Sequence, residues 1–309
     1  MSRAHLHAVV ASIPDALRRC LRDVHGAQAT QTWLDALPDL LLKLSHEHGL
    51  HIMPVHHPLS YNVVLPAHYQ GQPAVLKMSV PGPDMEREVR AVHAYQGHGM
   101  VRCLSADPEE GWLLLEALQP GTSLLGLPDD EAMSIVAAIM DMLHRAPLDP
   151  ELPRLGHWVG GFERLRAAYG GGCGPFSPRS IAQAEPIIRA GAVASADDVL
   201  LHGDLHHANI LRDGERWCAI DPKGVIGPRH FEPAAAMRND LDPAAPDLKA
   251  RLERRAAVLC DRLGMERRTV LESCLAQTML SAIWTWEDHG AGWEPELCIV
   301  RALERLLER

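Results

Sequence analysis

Two carboxylates and an amide, Asp204, Asn209 and Asp221, crowd into the stretch LLHGDLHHANILRDGERWCAIDPK, residues 200–223. Val199 to Leu201 precede the polar cluster and Trp217 to Ile220 follow it. That pattern predicts a polar loop between short buried strands, with Asp204 and Asn209 on the loop and Asp221 at the end of the second strand. The set suits phosphoryl transfer. One carboxylate can orient an acceptor hydroxyl and take its proton, while hard oxygens hold magnesium. Catalytic loops of this chemistry space Asp and Asn five residues apart, with a metal-binding Asp further on. Here Asp204 and Asn209 are five apart, and Asp221 lies seventeen beyond Asp204. The bland alternative is that His202, Asp204 and Asn209 cap turns and Asp221 opens a loop. His202, Asp204, His206 and His207 also have a spacing that fits a metal-dependent hydrolase, but such an enzyme needs further His/Asp motifs that the chain lacks. No GxxxxGK[ST] occurs, which excludes a P-loop enzyme, and no DFG or APE follows Asp221, which disfavours a protein kinase.

HGDLHHANI resembles the catalytic loop of the aminoglycoside phosphotransferases, in their streptomycin 6-kinase and hydroxyurea phosphotransferase branch, and AIDPKG resembles their metal-binding loop. The resemblance covers nearly the whole chain from about residue 50. It implies an α+β, bilobal, protein-kinase-like fold with a small antiparallel sheet lobe and a mainly helical large lobe. It also implies ATP and Mg2+ as cofactors and transfer to a hydroxyl of a small molecule, such as streptomycin or a related aminocyclitol. Hydroxyurea, an unknown metabolite and a catalytically inactive nucleotide-binding protein are the alternatives. Residue by residue, the resemblance gives Asp204 the catalytic role, Asn209 and Asp221 the metal, and Lys77, fixed by Glu88, the ATP phosphates. Ser60 falls in the family's phosphate loop, LSYNVV, and the backbones of Glu116 and Leu118 fall in the connector that binds adenine. LSYNVV has no glycine, so Ser60, Tyr61 and Asn62 either supply a turn and a hydroxyl or simply begin a strand. The chain departs from the family at Glu232, near a family aspartate, and at Pro233, where a helical residue is usual. Glu232 could still cap a helix.

These residues need a scaffold. A chain of 309 residues accommodates two lobes, read as 1–118 (leading helices, then a nucleotide-binding sheet and helix) and 119–309 (catalytic and substrate-binding). Ser12 and Pro14 read as the start of a first helix, and a second runs from about Ala29 to His48 with Pro38 disturbing its middle. Two strands follow, one with Tyr61, Val63 and Leu65 and one from Ala74 to Met78. A helix from Pro83 to Gln96 comes next, then a pair at Val101–Leu104 and Trp112–Leu118. Lys77 lies inside an apolar run and needs a partner if buried; on an exposed edge it would deter aggregation instead. Glu88 and Glu86 compete as that partner. Glu88 is preferred because it adjoins the face of Val89, Val92 and Tyr95. Further helices are read at Asp129–Arg145, Ser180–Gly191, Leu248–Leu263, Arg267–Trp286 and Glu294–Leu307, with 146–180 irregular. Trp284, Glu287 and Asp288 suit recognition of a polar cation, or equally a plain helix end packed on tryptophan.

Forty acidic against thirty basic residues give a formal charge of -10. That argues against nucleic acid and is compatible with a cationic small-molecule substrate. No apolar run reaches membrane-spanning length, so no membrane partner is expected. The first residues lack the long apolar core of a signal peptide. Seven dispersed cysteines without a CxxC pair suggest reduced thiols and a cytoplasmic location. A monomer or a weak homodimer is expected.

Overall fold

Alternation of buried Val63, Leu65 and Ala67 with partly exposed neighbours makes a strand with one covered face, in a sheet whose inner strand Trp112–Glu116 is buried on both. The computed structural model describes residues 3–54 and 62–308. The chain divides into two compact units, residues 1–89 with 101–117, and residues 90–100 with 118–309.

In the first unit, α1 (Arg3–Ala11), α2 (Asp15–His25) and α3 (Ala27–Glu47) precede β1 (His51–Ile52), β2 (Val63–Tyr69) and β3 (Gln72–Met78). Helix α4 (Pro83–Tyr95) follows, then β4 (Cys103–Asp107) and β5 (Trp112–Glu116). The five strands form one antiparallel sheet in the order β1-β2-β3-β5-β4. Leu6, Leu17, Leu37, Leu41 and Leu44 of the leading helices share one apolar cluster with Leu65, Leu76 and Leu114 of the sheet. Burial carries α3 straight through Pro38, which is itself buried beside Leu37 and Leu41. Packing there outweighs the hydrogen bond that proline removes. Ser12 does not cap α2: its hydroxyl donates to the Val9 carbonyl at the end of α1, and Pro14 precedes α2 without a side-chain cap. Strand β4 begins at Cys103 rather than Val101 and runs past Leu104 to Asp107.

The second unit is mainly helical. It holds β6 (Pro120–Ser123), α5 (Asp129–Leu143), α6 (Val159–Ala168), α7 (Pro178–Ala190), β7 (Asp198–Leu201), β8 (Ile210–Asp213), β9 (Arg216–Ala219) and β10 (Val225–Pro228). It closes with α8 (Pro233–Arg238), α9 (Leu248–Leu263), α10 (Arg267–His289) and α11 (Glu294–Leu307). Helix α10 is buried on nearly every side from Val270 to Ile283 and forms the centre of the unit. The 146–180 segment is not irregular throughout. It contains a 3-10 turn at Leu155–Trp158 and then α6. Gly161 of α6 sits where an added Cβ would meet Leu280 at 2.7 Å and Trp284 at 3.1 Å, so close packing on α10 requires the glycine. The strand pairing also differs from a single loop between two partners: β7 pairs with β10, while β8 and β9 make their own hairpin beside β6.

Candidate active site

In the first unit, Leu76 and Met78 of β3 face the apolar cluster, so Lys77 between them points from the other face of the sheet, where it is also buried. Its Nζ donates to Glu88 Oε1 at 2.6 Å, and the side chains are 4% and 11% exposed. Burial of a lysine is tolerable only with such a partner. Glu86 is exposed, and the buried face of α4 brings in Glu88. Glu116 turns its carboxylate to Arg102, whose backbone N–H and guanidinium both donate to it. Leu118 is half-buried in the second unit. Ser60, with Tyr61, lies outside the described residues.

In the second unit, the loop after β7 is fixed almost atom by atom. The Leu205 side chain is fully buried and anchors it. The His202 ring is also fully buried; its Nδ1 accepts from the Asp204 N–H at 3.2 Å and its Nε2 faces the Ile220 carbonyl at 2.8 Å. A backbone donor on Nδ1 leaves the proton on Nε2, which donates to Ile220. His206 repeats the device, with Nδ1 accepting from the Ala208 N–H at 3.2 Å. Burial lowers the pKa of both rings. Gly203 has φ +80°, and a Cβ there would lie 3.2 Å from Lys223 and 3.4 Å from Trp158. The Asn209 amide donates to the Asp204 carbonyl at 3.0 Å, which leaves its oxygen as the group able to bind a cation.

Hairpin β8–β9 pairs Ile210 with Ala219, and the Ile220 N–H donates to the Asn209 carbonyl at 2.9 Å. Asn209 and Asp221 therefore meet at the open end of one hairpin. Asp221 holds φ +60°, a left-handed conformation that a non-glycine residue keeps only where its surroundings impose it. An amide oxygen and a carboxylate are hard donors that fit magnesium, which takes one or two protein ligands and completes its shell with water and phosphate oxygens. The histidines do not assemble a metal centre: His202 uses both nitrogens on the backbone, and His207 is buried with no hydrogen-bond partner.

Glu232 was the residue least legible in advance. It does not cap α8 with its side chain. Its fully buried carboxylate instead accepts from the N–H groups of His202 at 2.6 Å and Gly203 at 2.9 Å. Burial pushes the carboxyl up, but the nearby His144 and His202 rings and the Gly203 amide outweigh it and hold the pKa below the usual value. Tyr95 supports the same region by donating its hydroxyl to the Leu200 carbonyl at 3.1 Å.

Around Asp204, the carboxylate lies 3.8 Å from the Arg238 guanidinium and 4.0 Å from His206 Nε2. Trp284 meets Trp158 edge-on at 5.5 Å, and Trp158 abuts Gly203, so Trp284 reaches the loop through a second indole. Glu287 is paired within the chain. Arg164 grips its carboxylate through two bonds of 2.8 Å, so its charge is already matched. Asp288 differs: burial raises its carboxyl, and Lys223 is among the cations that oppose the rise.

The model of the aminoglycoside/hydroxyurea antibiotic resistance kinase family matches residues 51–290. The chain is 29% identical to a streptomycin 6-kinase of Streptomyces glaucescens, over 92% of this chain and 94% of the relative. It is 34% identical to a streptomycin 3''-kinase of Klebsiella pneumoniae, over 72% of this chain and 83% of the relative. In fold it is similar to choline kinase LicA from Streptococcus pneumoniae, with a TM-score of 0.63 at 15% identity, covering 88% of this chain and 98% of the other. Among the described residues, no helix is long and apolar enough to cross a membrane.

Proposed function

The chain belongs to the aminoglycoside/hydroxyurea antibiotic resistance kinase family, and from that premise we propose that it is an ATP-dependent O-phosphotransferase whose acceptor is a hydroxyl of a cationic aminocyclitol, with streptomycin the first to test. The observation that carries the reading is the meeting of three groups. The Asn209 side chain holds the backbone of Asp204, while its own carbonyl accepts from Ile220, next to Asp221. One base and two oxygen ligands are thereby held on a single rigid loop and hairpin.

In this reading Asp204 orients the acceptor hydroxyl and takes its proton as the bond to phosphorus forms. The transition state is loose, so orientation is the greater part of the task and a strongly basic carboxylate is unnecessary. Asn209 and Asp221 would hold magnesium, which neutralises charge on the phosphates when it is bound with ATP. Lys77, kept in place by Glu88, is the residue of the first unit that would steady ATP phosphates. Asp288 and the indole of Trp284 favour a cation on the acceptor side, in keeping with the acidic balance of the chain. The two streptomycin kinases it resembles are named for different positions, 6 and 3'', so the hydroxyl is assigned by product analysis rather than by likeness.

The test is turnover of purified protein with ATP and magnesium against streptomycin, other aminocyclitols and hydroxyurea, reading ADP release and the mass of the product. Asp204→Asn lowers kcat by about 10²-fold or more with little change in the KM for ATP. Asp221→Ala abolishes transfer while the circular dichroism spectrum is kept. Near-normal turnover by the Asp221 variant, or no transfer by the wild type to any of these acceptors, refutes the proposal.

A further inference from the structure

Helix α8 carries opposite charges at its two ends, and together they reach three consecutive residues of the loop, His202 to Asp204. At its entry Glu232 holds the N–H groups of His202 and Gly203. At its last residue Arg238 faces the next side chain, with Nη2 3.8 Å from Asp204 Oδ1. Between them Pro233, Ala234, Ala235, Ala236 and Met237 are all buried, so the element cannot tilt without opening the core. Its C-terminus is also locked. Arg255 Nη1 donates to the carbonyls of Ala236 at 2.7 Å and Asn239 at 2.6 Å, and its Nη2 reaches Asp129 at 2.6 Å. The Arg238 backbone is thus held from behind by a second, fully buried arginine.

We propose that Arg238 is a positioning residue for Asp204: its guanidinium fixes the rotamer of the carboxylate so that one oxygen is kept toward α8 and the other is presented to the acceptor hydroxyl. This rests on the phosphotransferase reading of Asp204. Several observations separate the role from ordinary helix-end stabilisation. The Arg238 side chain is only 13% exposed, and its Nη1 is buried without a hydrogen-bond partner. An arginine serving only the helix dipole would lie in solvent, where it is well hydrated. Burial lowers the Arg238 pKa, and the carboxylates that counter it are Asp204 and Glu296. Glu296 is held in turn by the Thr285 hydroxyl at 3.2 Å. The charge of Arg238 is therefore countered by the base and by an acid of α11. The other oxygen of Asp204 faces His206, which burial keeps neutral near pH 7, so Arg238 is the permanent cation nearest the carboxylate.

The experiment compares Arg238→Met, Arg238→Gln and Arg238→Lys, alone and combined with Asp204→Asn, in streptomycin kinase assays and in thermal unfolding. Arg238→Met should lower kcat by about 10- to 100-fold, the effect of a misplaced reacting group, with the KM for ATP within about twofold. Arg238→Lys should recover at least about tenfold relative to Arg238→Gln, and Arg238→Met should add almost nothing in the Asp204→Asn background. Losses that multiply in the double variant, or a lysine no better than glutamine, overturn the proposal. If Arg238→Met does not fold, Arg238→Gln takes its place in both comparisons. A wild-type protein that phosphorylates no aminocyclitol refutes the functional reading instead. The pairing is then judged by the unfolding cycle: Tm shifts of the single variants that fail to add support the contact, and shifts that add overturn it.

Discussion

Glu232→Gln changes one atom of a buried carboxylate whose two oxygens each accept a backbone N–H of the loop that carries Asp204. Glutamine keeps the length of the side chain and one acceptor oxygen. Its NH2 must then face the second N–H, donor against donor. A hydrogen bond to a charged group contributes about 1.5–3 kcal/mol, and a buried donor without an acceptor costs a further 1–3 kcal/mol. Relaxation recovers part of this, so the net loss is about 2–4 kcal/mol. Within a unit of roughly 200 residues, that lowers Tm by about 5–10 °C. Glu232→Asp keeps the charge but is one methylene shorter and cannot reach both amides, so its loss should be smaller. Differential scanning calorimetry of the three proteins, with urea unfolding as a check, measures the order. The kinase assay should show a fall in kcat beyond the fall in folded fraction, because displacement of the loop misaligns Asp204. A Glu232→Gln protein within about 0.5 kcal/mol of wild type would refute the argument that this carboxylate holds the loop.

Glu88→Gln removes the negative charge from the buried pair that Glu88 makes with Lys77. It should destabilise the first unit by about 3–5 kcal/mol and weaken ATP binding measured by calorimetry, whereas Glu86→Gln on the exposed face should change neither. Asp288→Asn should raise the KM for a cationic acceptor by more than Glu287→Gln does, since Arg164 already matches Glu287; equal effects in steady-state kinetics would contradict this. Burial pushes His207 down to about 4, from an ordinary 6.5, so the unfolded chain binds the proton first as pH falls. Stability is then complete above pH 6.5 and declines toward pH 4, by up to about 3 kcal/mol from this ring; urea midpoints that stay level between pH 7 and 5 would contradict the sign.

Local spacing made the catalytic segment legible. Asp204, Asn209 and Asp221 lie within eighteen residues, and the apolar runs beside them read directly as strands. Lys77 was legible for another reason: a charge inside an apolar run demands a partner, and helical periodicity offered Glu88 on the buried face. The same logic applies to Glu232 and Arg238, which bracket PAAAM, but their partners stand thirty or so positions upstream and no periodicity links them. Helix α6 was hidden by Gly160 and Gly161, residues of poor helix propensity, of which Gly161 is required by tight packing on α10. Missing α6 also concealed Arg164, and with it the pairing that removes Glu287 from the acids available to a substrate. The pairing of β7 with β10 rather than β9 is a tertiary choice that short apolar strands do not encode.

The hydrogen bonding of the catalytic loop has a consequence for how this protein breathes. The N–H groups of residues 202, 203, 204, 208, 209, 220 and 223 all have acceptors within the second unit. Surface loops ordinarily exchange amide deuterium within local fluctuations, but a segment tied in this way exchanges only when a larger cooperative unit opens. The loop should therefore label as slowly as the strands that flank it. In the proposed reaction, the Asp204 carboxylate would then sit on a slow-opening part of the second unit, with its geometry set before any ligand arrives.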